Sequence, residues 1–303
     1  MKLIDAFNTR LAVGLGLAAS SVIPPWIGYP MARRLGHLVA ARRQSSIVMA
    51  VRANQWILHD GNISAPDLDL AVQRVFQSIG FSLYVFFHLH DRPDAMHRMV
   101  EFDATFEAEF ERAKREKRGT IWVAPHTAGF DIFGRAIVLH GMPMQFITYP
   151  PTPGGYRWQN QLRELPGARI TPMSMGAFRE ASQTLSAGGT VITCVDRPLP
   201  TPVAKYTPRF FGRAAVLPVF HVRLAINHDL PITVIGGRRR EDGRWDAWVS
   251  DPIRMERRPD RVEETVANAE RVLTVMGDAI RAASDQWAML YPVWPEALAT
   301  MPE

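Results

Sequence analysis

The 303-residue chain has a single cysteine and lacks the motifs of several common classes of protein. One cysteine cannot form an internal disulfide and fits a reducing compartment, and Cys194 lies in an apolar run where we expect core. Ser174 is flanked as PMSMG, so the G-x-S-x-G of a serine hydrolase is missing. No nucleic-acid-binding motif is present, which makes nucleic acid the least expected partner.

No metal or cofactor is predicted. His88, His90, Asp91 and His97 lie close together in sequence, but on a segment that reads as helical and without a further ligand motif. We therefore expect no metal site there.

The charge of the chain is unbalanced toward the positive. The formal net charge is +5 and the pI is about 9.6, mostly because of arginine. Three clusters stand out: Arg33-Arg34, Arg42-Arg43 and Arg238-Arg239-Arg240. Such clusters suit anionic lipid head groups or an acidic protein partner, although each is also typical of a solvated surface.

Residues 11–32 contain no Lys, Arg, Asp or Glu and are nearly numerous enough to cross a bilayer. Two prolines and a glycine interrupt this stretch, and no convincing cleavage site for a secretory signal follows it. We predict a membrane-associating segment over residues 1–40, with Trp26 and Tyr29 at the interface, before a domain spanning 41–303. The alternative is an ordinary buried helical hairpin.

The segment TIWVAPHTAGFD, residues 120–131, runs from an apolar stretch into a histidine and then an aspartate. Residues 121–124 predict a buried strand, and Pro125 cannot continue a central strand because it has no backbone N–H. From about Phe130 the apolar residues recur at helical spacing. We therefore expect His126 on the loop between strand and helix, and Asp131 near the first helical turn.

We interpret His126 and Asp131 as a general base and its orienting partner. Five residues along a straight helix turn through about 140°, so the two side chains can meet only if His126 lies outside the helix. A carboxylate that fixes the imidazole tautomer leaves the other ring nitrogen to take a proton from a substrate hydroxyl. The alternative is structural, with His126 capping a turn and Asp131 complementing the helix dipole.

Helix and strand patterns organise the remainder of the chain. Residues 37–118 are predicted to be helical, and a Pro/Gly-rich loop, PPTPGGY, is expected beside a site. Strands are predicted at residues 121–124, 144–149, 168–171, 190–195, 231–236 and 245–249, and helices at 157–165, 176–186, 218–227 and 261–283. A hairpin through Asp242 and Gly243 joins the last two strands. We predict an α/β fold, one domain with a mixed, mainly parallel sheet flanked by helices, behind a helical N-terminal region.

Three blocks of the sequence belong together by their order and spacing: HTAGFD at residues 126–131, VITCVD at 191–196 and RFFGRAAVLP at 209–218. Together they resemble the bacterial lipid A biosynthesis acyltransferase family, within the wider glycerolipid acyltransferase superfamily. His126-Thr-Ala-Gly-Phe-Asp131 resembles the family's H-x4-(D/E) motif. Residues 191–196, VITCVD, are similar to the family's strand ending in Asp-Gln or Asp-His. Residues 209–218, RFFGRAAVLP, resemble its block of FFG, small residues and proline. The resemblance covers about residues 42–294.

The resemblance implies an O-acyltransferase that uses His126 as base and Asp131 as its partner. Such an enzyme moves a fatty acyl group from a thioester of acyl carrier protein or coenzyme A to a hydroxyl of a lipid or glycolipid. The expected location is the cytoplasmic face of the bacterial inner membrane, with no cofactor beyond the acyl donor. The competing interpretations are a thioesterase and a non-catalytic, membrane-associated protein that binds lipid or carrier.

The resemblance also implies substrate-binding residues. An arginine between the first two motifs helps bind substrate in the family, and Arg163 is the best match, with Arg157 and Arg169 as rivals. The other expected substrate-binding residues are Asp196, Arg197, Phe211, Gly212 and Arg213. The chain departs from the family where Arg197 replaces Gln or His, and where residues 286–294 lack basic side chains.

Overall fold

The computed structural model describes residues 10–149, 162–200 and 205–302, which form ten α-helices and nine strands. The helices are α1 (Arg10–Val22), α2 (Pro25–Ala40), α3 (Ser46–Leu58), α4 (Ala65–His88), α5 (Pro93–His97), α6 (Ala104–Glu116), α7 (Phe130–Leu139), α8 (Met175–Ser186), α9 (Phe220–His228) and α10 (Arg261–Ala282). The strands are β1 (Val100–Phe102), β2 (Thr120–Ala124), β3 (Met144–Thr148), β4 (Ala168–Pro172), β5 (Thr190–Cys194), β6 (Arg209–Phe210), β7 (Arg213–Ala214), β8 (Ile232–Arg239) and β9 (Trp245–Val249). Two short 3-10 helices follow α10, at Ser284–Gln286 and Pro295–Ala299.

Seven of the strands form one sheet in the order β1-β9-β8-β2-β5-β3-β4. The hairpin of β8 and β9 is antiparallel, and every other neighbouring pair in this sheet is parallel. The mixed, mainly parallel sheet flanked by helices, predicted from the sequence, is therefore confirmed.

Alternate residues of the central strand β2 belong to two separate hydrophobic cores. Ile121 and Val123 pack in the core that also holds α9 and α10, whereas Trp122 and Ala124 pack in the core that holds α6 and α7. Because successive side chains of a strand point to opposite faces, helices cover the sheet on both sides. The continuous apolar run that predicted this strand follows from that double burial.

The register of β2 and β5 places the ends of these two strands side by side. The strands are parallel neighbours, and Ala124 lies opposite Cys194. Two residues beyond this pair lie His126, after β2, and Asp196, after β5. The carboxyl edge of a parallel sheet is where ligands of open α/β folds bind, and here it brings the two titratable side chains together.

The prediction that residues 37–118 are helical missed one strand. Val100–Phe102 forms the edge strand β1, parallel to residues 245–247 of β9. Helix α6 consequently begins only at Ala104, where the side chain of Asp103 accepts a hydrogen bond from the backbone N–H of Phe106, 2.8 Å away. A three-residue strand has no readable alternation, and its partner lies far along the chain.

The charge-free stretch near the N-terminus forms two helices rather than one. Helix α1 ends at Val22, and α2 begins at Pro25, directly after Pro24. The buried residues of α2 are Gly28, Ala32 and Gly36, which face α4. Within the described residues, α4 alone is long and apolar enough to cross a membrane, and half of its most apolar window is buried in the protein. Partial burial of this kind is also typical of a core helix.

Candidate active site

His126 lies on the loop after β2, as predicted, and a C-terminal segment holds that loop in place. The N–H of Ala288 donates to the carbonyl of His126, and the N–H of Ala128 donates to that of Gln286, both at 2.8 Å. Between them Thr127 and Trp287 form an antiparallel bridge. The backbone of the histidine loop is thus fixed by residues about 160 positions further along the chain.

The imidazole of His126 is bonded to Asp196, not to Asp131. Its Nδ1 lies 2.6 Å from Oδ1 of Asp196, and its backbone N–H donates to Oδ2 at 2.9 Å. The indole N–H of Trp287 donates to the same Oδ2, also at 2.9 Å. The sequence-based prediction that Asp131 orients His126 is therefore corrected, because the register of the sheet brings the end of β5 closer than the first turn of α7.

Asp196 is fully buried and ionised. Burial raises the pKa of its carboxyl group, but the charge of His126 and the hydrogen bonds from His126 and Trp287 outweigh it and hold the pKa below its ordinary value. An ionised carboxylate only accepts hydrogen bonds, so the proton between the two groups belongs to Nδ1 of His126. When the ring is neutral, Nε2 therefore carries the lone pair. A buried carboxylate engaged in this way also has no surface to offer a substrate, contrary to the expectation for Asp196.

Asp131 is instead paired with Arg163. Nε and one terminal nitrogen of Arg163 lie 2.6 and 3.2 Å from the two carboxylate oxygens, which is a two-point ion pair between half-buried groups. Asp131 therefore fixes the arginine that was expected to bind substrate. Of its two rivals, Arg169 is exposed and donates to Gln145 and Thr184, whereas Arg157 and the PPTPGGY loop lie outside the described residues.

A cavity of about 50 Å³ opens beside His126. Its wall combines apolar side chains from β3, β5 and α7 with two arginines; it includes Phe130, Phe146, Ile192, Cys194, Arg163 and Arg197. A second cavity of about 20 Å³ shares Phe130, Phe146 and Arg163 with the first and also touches Asp131. Cys194 is thus part of the cavity wall rather than deep core, and burial raises the pKa of its thiol well above the usual range. A neutral thiol is a poor nucleophile.

Arg197 reaches this cavity stacked on tyrosine. Its Cζ lies 3.5 Å from the ring centroid of Tyr149 and 4.0 Å from that of Tyr291. Tyr149 ends the β3 region and Tyr291 belongs to the C-terminal segment, so both come from elements next to the histidine loop.

Three residues expected to bind substrate lie outside the cavity wall. Phe211 and Gly212 form the turn between the two-residue strands β6 and β7, with φ angles of +48° and +74°, and Arg213 follows on β7. Phe211 packs 5.9 Å from Trp287 between ring centroids, so it supports the residue that bonds Asp196. The substrate-binding role of these three residues stays a prediction.

The sequence interpretation missed three residues that build the site. Trp287 is fully buried against Asp196, and Asn54 on α3 ties down the segment that carries it. Tyr291 lies under Arg197. Two of the three stand in the aromatic stretch QWAMLYPVW, whose density of large rings near the C-terminus is the signal that could have found them.

Comparison with known sequences identifies the family of the chain. A comparison with curated proteins finds no match. Residues 11–296 match the family described as bacterial lipid A biosynthesis acyltransferase, which covers His126, Asp131, Asp196 and Trp287. The chain belongs to the bacterial lipid A biosynthesis acyltransferase family.

Proposed function

We propose that this acyltransferase moves a fatty acyl group from a thioester to a hydroxyl of a lipid or glycolipid, with His126 as general base. The observation that carries the proposal is the hydrogen bond of 2.6 Å between Nδ1 of His126 and the buried carboxylate of Asp196. It turns the ring so that Nε2 is the basic nitrogen, on a side chain that lines the cavity. Within the described residues Nε2 makes no hydrogen bond.

The chemical step needs no covalent enzyme intermediate. Nε2 takes the proton from the acceptor hydroxyl while the oxygen attacks the thioester carbonyl carbon. The tetrahedral intermediate then expels the sulfur, the C–S bond breaks, and the imidazolium returns the proton to the thiolate. The products are an ester and a free thiol. General-base help of this kind contributes about 10²- to 10⁴-fold, and positioning and charge stabilisation supply the remainder.

The cavity wall supports this assignment. Phe130, Phe146 and Ile192 offer an apolar surface suited to the carbons next to a thioester. Arg163, fixed by Asp131, adds a positive charge in the same wall. Such a charge favours the oxyanion that develops on the carbonyl. The neutral thiol of Cys194 favours direct transfer over a cysteine acyl-enzyme.

The charge of the chain supports a class of acyl donor, and its family supports a location. We infer a thioester of acyl carrier protein or coenzyme A as donor, since an arginine-rich surface attracts either of these acidic partners. The family is membrane-associated, and we place this chain at the cytoplasmic face of the inner membrane, where both a lipid acceptor and the acyl donor are accessible.

The test is release of free thiol from acyl-carrier-protein and acyl-coenzyme A thioesters, measured with and without a lipid extract. We expect release by the parent protein to depend on the extract and to fall by about 10²-fold or more in His126→Ala. The matched control is His228→Ala. His228 ends α9 next to the start of β8, at the opposite edge of the sheet from His126, and its ring bonds the hydroxyl of Ser182.

Release that depends on His126 but not on the extract would indicate a thioesterase. No release with any donor, or an unchanged rate in His126→Ala, would support a protein that binds lipid or carrier without catalysis. If release depends on both the extract and His126, as we expect, labelled acyl chains identify the product lipid.

A further inference from the structure

Arg197 carries a charge that the site does not neutralise. Within residues 10–149, 162–200 and 205–302 it makes no ion pair with a carboxylate, and its Nε is buried without a hydrogen-bond partner. The carboxylate next to it in sequence, Asp196, is committed to His126 and Trp287. The other arginine of the cavity wall, Arg163, is paired with Asp131. Buried polar groups of proteins are normally satisfied, so an unsatisfied one in a cavity wall indicates a ligand.

The stacking of Arg197 defines what that ligand can contact. Tyr149 and Tyr291 pack against the guanidinium at 3.5 and 4.0 Å from Cζ. A guanidinium held against aromatic rings keeps its orientation and presents its N–H groups at the edge. That edge is a fixed fork of donors, which matches the oxygens of a phosphate group better than a single neutral acceptor.

The position of Arg197 links the ligand to the reaction. It lines the same cavity as His126, so an anion bound there belongs to a molecule that occupies the active site. Either substrate of the proposed reaction, the acyl donor or the lipid acceptor, can carry a phosphate group. The thioester arm of acyl carrier protein and of coenzyme A is a phosphopantetheine, and membrane lipids carry phosphate in their head groups.

We propose that Arg197 is a specificity-determining residue that binds a phosphate group of one substrate. The identity of the phosphate carrier rests on the proposed acyl transfer, whereas the binding itself does not.

The experiment compares two pairs of probes that differ by one phosphate. The first pair is 4′-phosphopantetheine and pantetheine, and the second is dioleoylphosphatidic acid and dioleoylglycerol in micelles of a neutral detergent. Binding to the full chain is measured by calorimetry for the parent, Arg197→Gln and Arg197→Lys. The control is Arg281→Gln, which removes an equal charge from an arginine that also stacks on a ring, Phe211, but has a carboxylate partner in Asp60.

We expect the parent to favour the phosphorylated member of one pair, and Arg197→Gln to lose about 10- to 100-fold of that preference, as for a charged hydrogen bond. Arg197→Lys should keep part of it, and Arg281→Gln all of it. Loss confined to the first pair assigns the phosphate to the donor arm, and loss confined to the second assigns it to the acceptor. A parent without any preference, or a preference that Arg197→Gln retains, overturns the proposal.

Because this readout needs no turnover, it is independent of the thiol-release assay. A failed acyl-transfer assay with intact phosphate binding rejects the proposed reaction alone. Melting curves of Arg197→Gln and Arg197→Lys separate loss of binding from loss of folding.

Discussion

At the scale of single residues, Asp196 has two oxygens and accepts from three donors. One oxygen takes the Nδ1 proton of His126, and the other takes the backbone N–H of His126 and the indole N–H of Trp287. No uncharged side chain of the same shape can satisfy this arrangement. The residue that was expected to touch substrate thus holds the histidine that we propose as the general base.

Asp196→Asn should lower kcat by about 10²- to 10⁴-fold with little change in KM. If the amide oxygen faces the backbone N–H and Trp287, the amide nitrogen donates to Nδ1 and forces the tautomer in which Nε2 carries the proton. If the amide is turned around, its nitrogen faces the backbone N–H of His126 and the indole N–H of Trp287. Two hydrogen bonds that hold the histidine loop are then lost. Steady-state kinetics of thiol release measures the loss.

The control for Asp196→Asn is Trp287→Phe, which removes one of the three donors and leaves the carboxylate charged. We expect a loss of about tenfold, since one hydrogen bond to a charged group is worth about 1.5 to 3 kcal/mol and the two bonds from His126 remain. The imidazole Nδ1 proton, observed by nitrogen-edited proton NMR, should persist in Trp287→Phe and vanish in Asp196→Asn if the new amide nitrogen faces Nδ1; if the amide oxygen faces Nδ1, the proton should persist in both variants. Parent-like kcat in Asp196→Asn would remove Asp196 from the mechanism.

At the scale of elements, α3 stabilises the active site without touching it. The side-chain amide of Asn54 donates to the carbonyls of Met289 and Tyr291, at 3.0 and 2.8 Å, and accepts the N–H of Val293 at 3.0 Å. On the next position of α3, Gln55 donates to the carbonyl of Ser284 at 2.9 Å. These bonds fix the segment whose Trp287 reaches Asp196.

Asn54→Leu should cost on the order of 3 kcal/mol of stability, because it leaves three buried backbone groups without partners. It should also lower the kcat of the folded protein, since the segment that carries Trp287 loses its anchor. Thermal melting and thiol-release kinetics on the same samples measure the two effects.

The matched control is Asn268→Leu. Asn268 is equally buried and makes the same pattern of bonds, donating to the carbonyls of Glu256 and Glu264 and accepting the N–H of Glu256. On α10 it supports no part of the histidine loop. We expect a similar loss of stability with kcat unchanged, and equal kcat in both variants would contradict the role of α3.

Helices and strands with strong local patterns were predictable from the sequence, but which strands lie side by side in the sheet was not. The apolar runs that became β2 and β5, each followed by a titratable residue, placed His126 and Asp196 at strand ends. Which strands are neighbours is set by the packing of the whole sheet, and β3 and β4 intervene in the chain. Asp131, close in sequence, was therefore chosen over Asp196, 70 residues away. The strands β1, β6 and β7 are too short to show alternation.

At the scale of the whole molecule, α2 is attached by a narrow face and leaves most of its apolar surface exposed. A Cβ on Gly36 would collide with the backbone of Phe76, and one on Gly80 of α4 with that of Ala32, so the two helices cross in close contact. The apolar residues of α1 and α2 that stay exposed are Leu15, Val22, Trp26, Ile27, Met31, Leu35 and Leu38. An exposed apolar surface of this extent is typical of an interaction site.

We propose that the occupant of this surface is a membrane that contains anionic lipid. Trp26, 76% exposed, is suited to the interface, and Arg33 and Arg34 add positive charge on the same helix. The prolines that divide α1 from α2 favour helices that lie on the bilayer over one that spans it. The membrane-associating segment over residues 1–40 stays a prediction, and the exposed apolar residues of α1 and α2 give it a surface to test.

Leu35→Glu combined with Leu38→Glu should weaken binding to vesicles of mixed neutral and anionic phospholipid by about 10-fold or more for each leucine. Burial of a leucine side chain is worth about 1.5 to 3 kcal/mol, and the introduced carboxylates are repelled by anionic lipid. Arg33→Gln combined with Arg34→Gln should cost less, about 1 kcal/mol for each charge, and this loss should disappear at high salt. Vesicle sedimentation measures both.

The control is Met175→Glu, which replaces an apolar residue that is 82% exposed on α8. This variant should bind vesicles as the parent does. Vesicle binding that is equal in the leucine variant and the parent would mean that α2 faces another partner. Thiol release from a soluble short-chain donor, with the lipid extract dissolved in detergent so that no membrane is needed, should be the same in all of these variants, since none of the residues lines the cavity of His126.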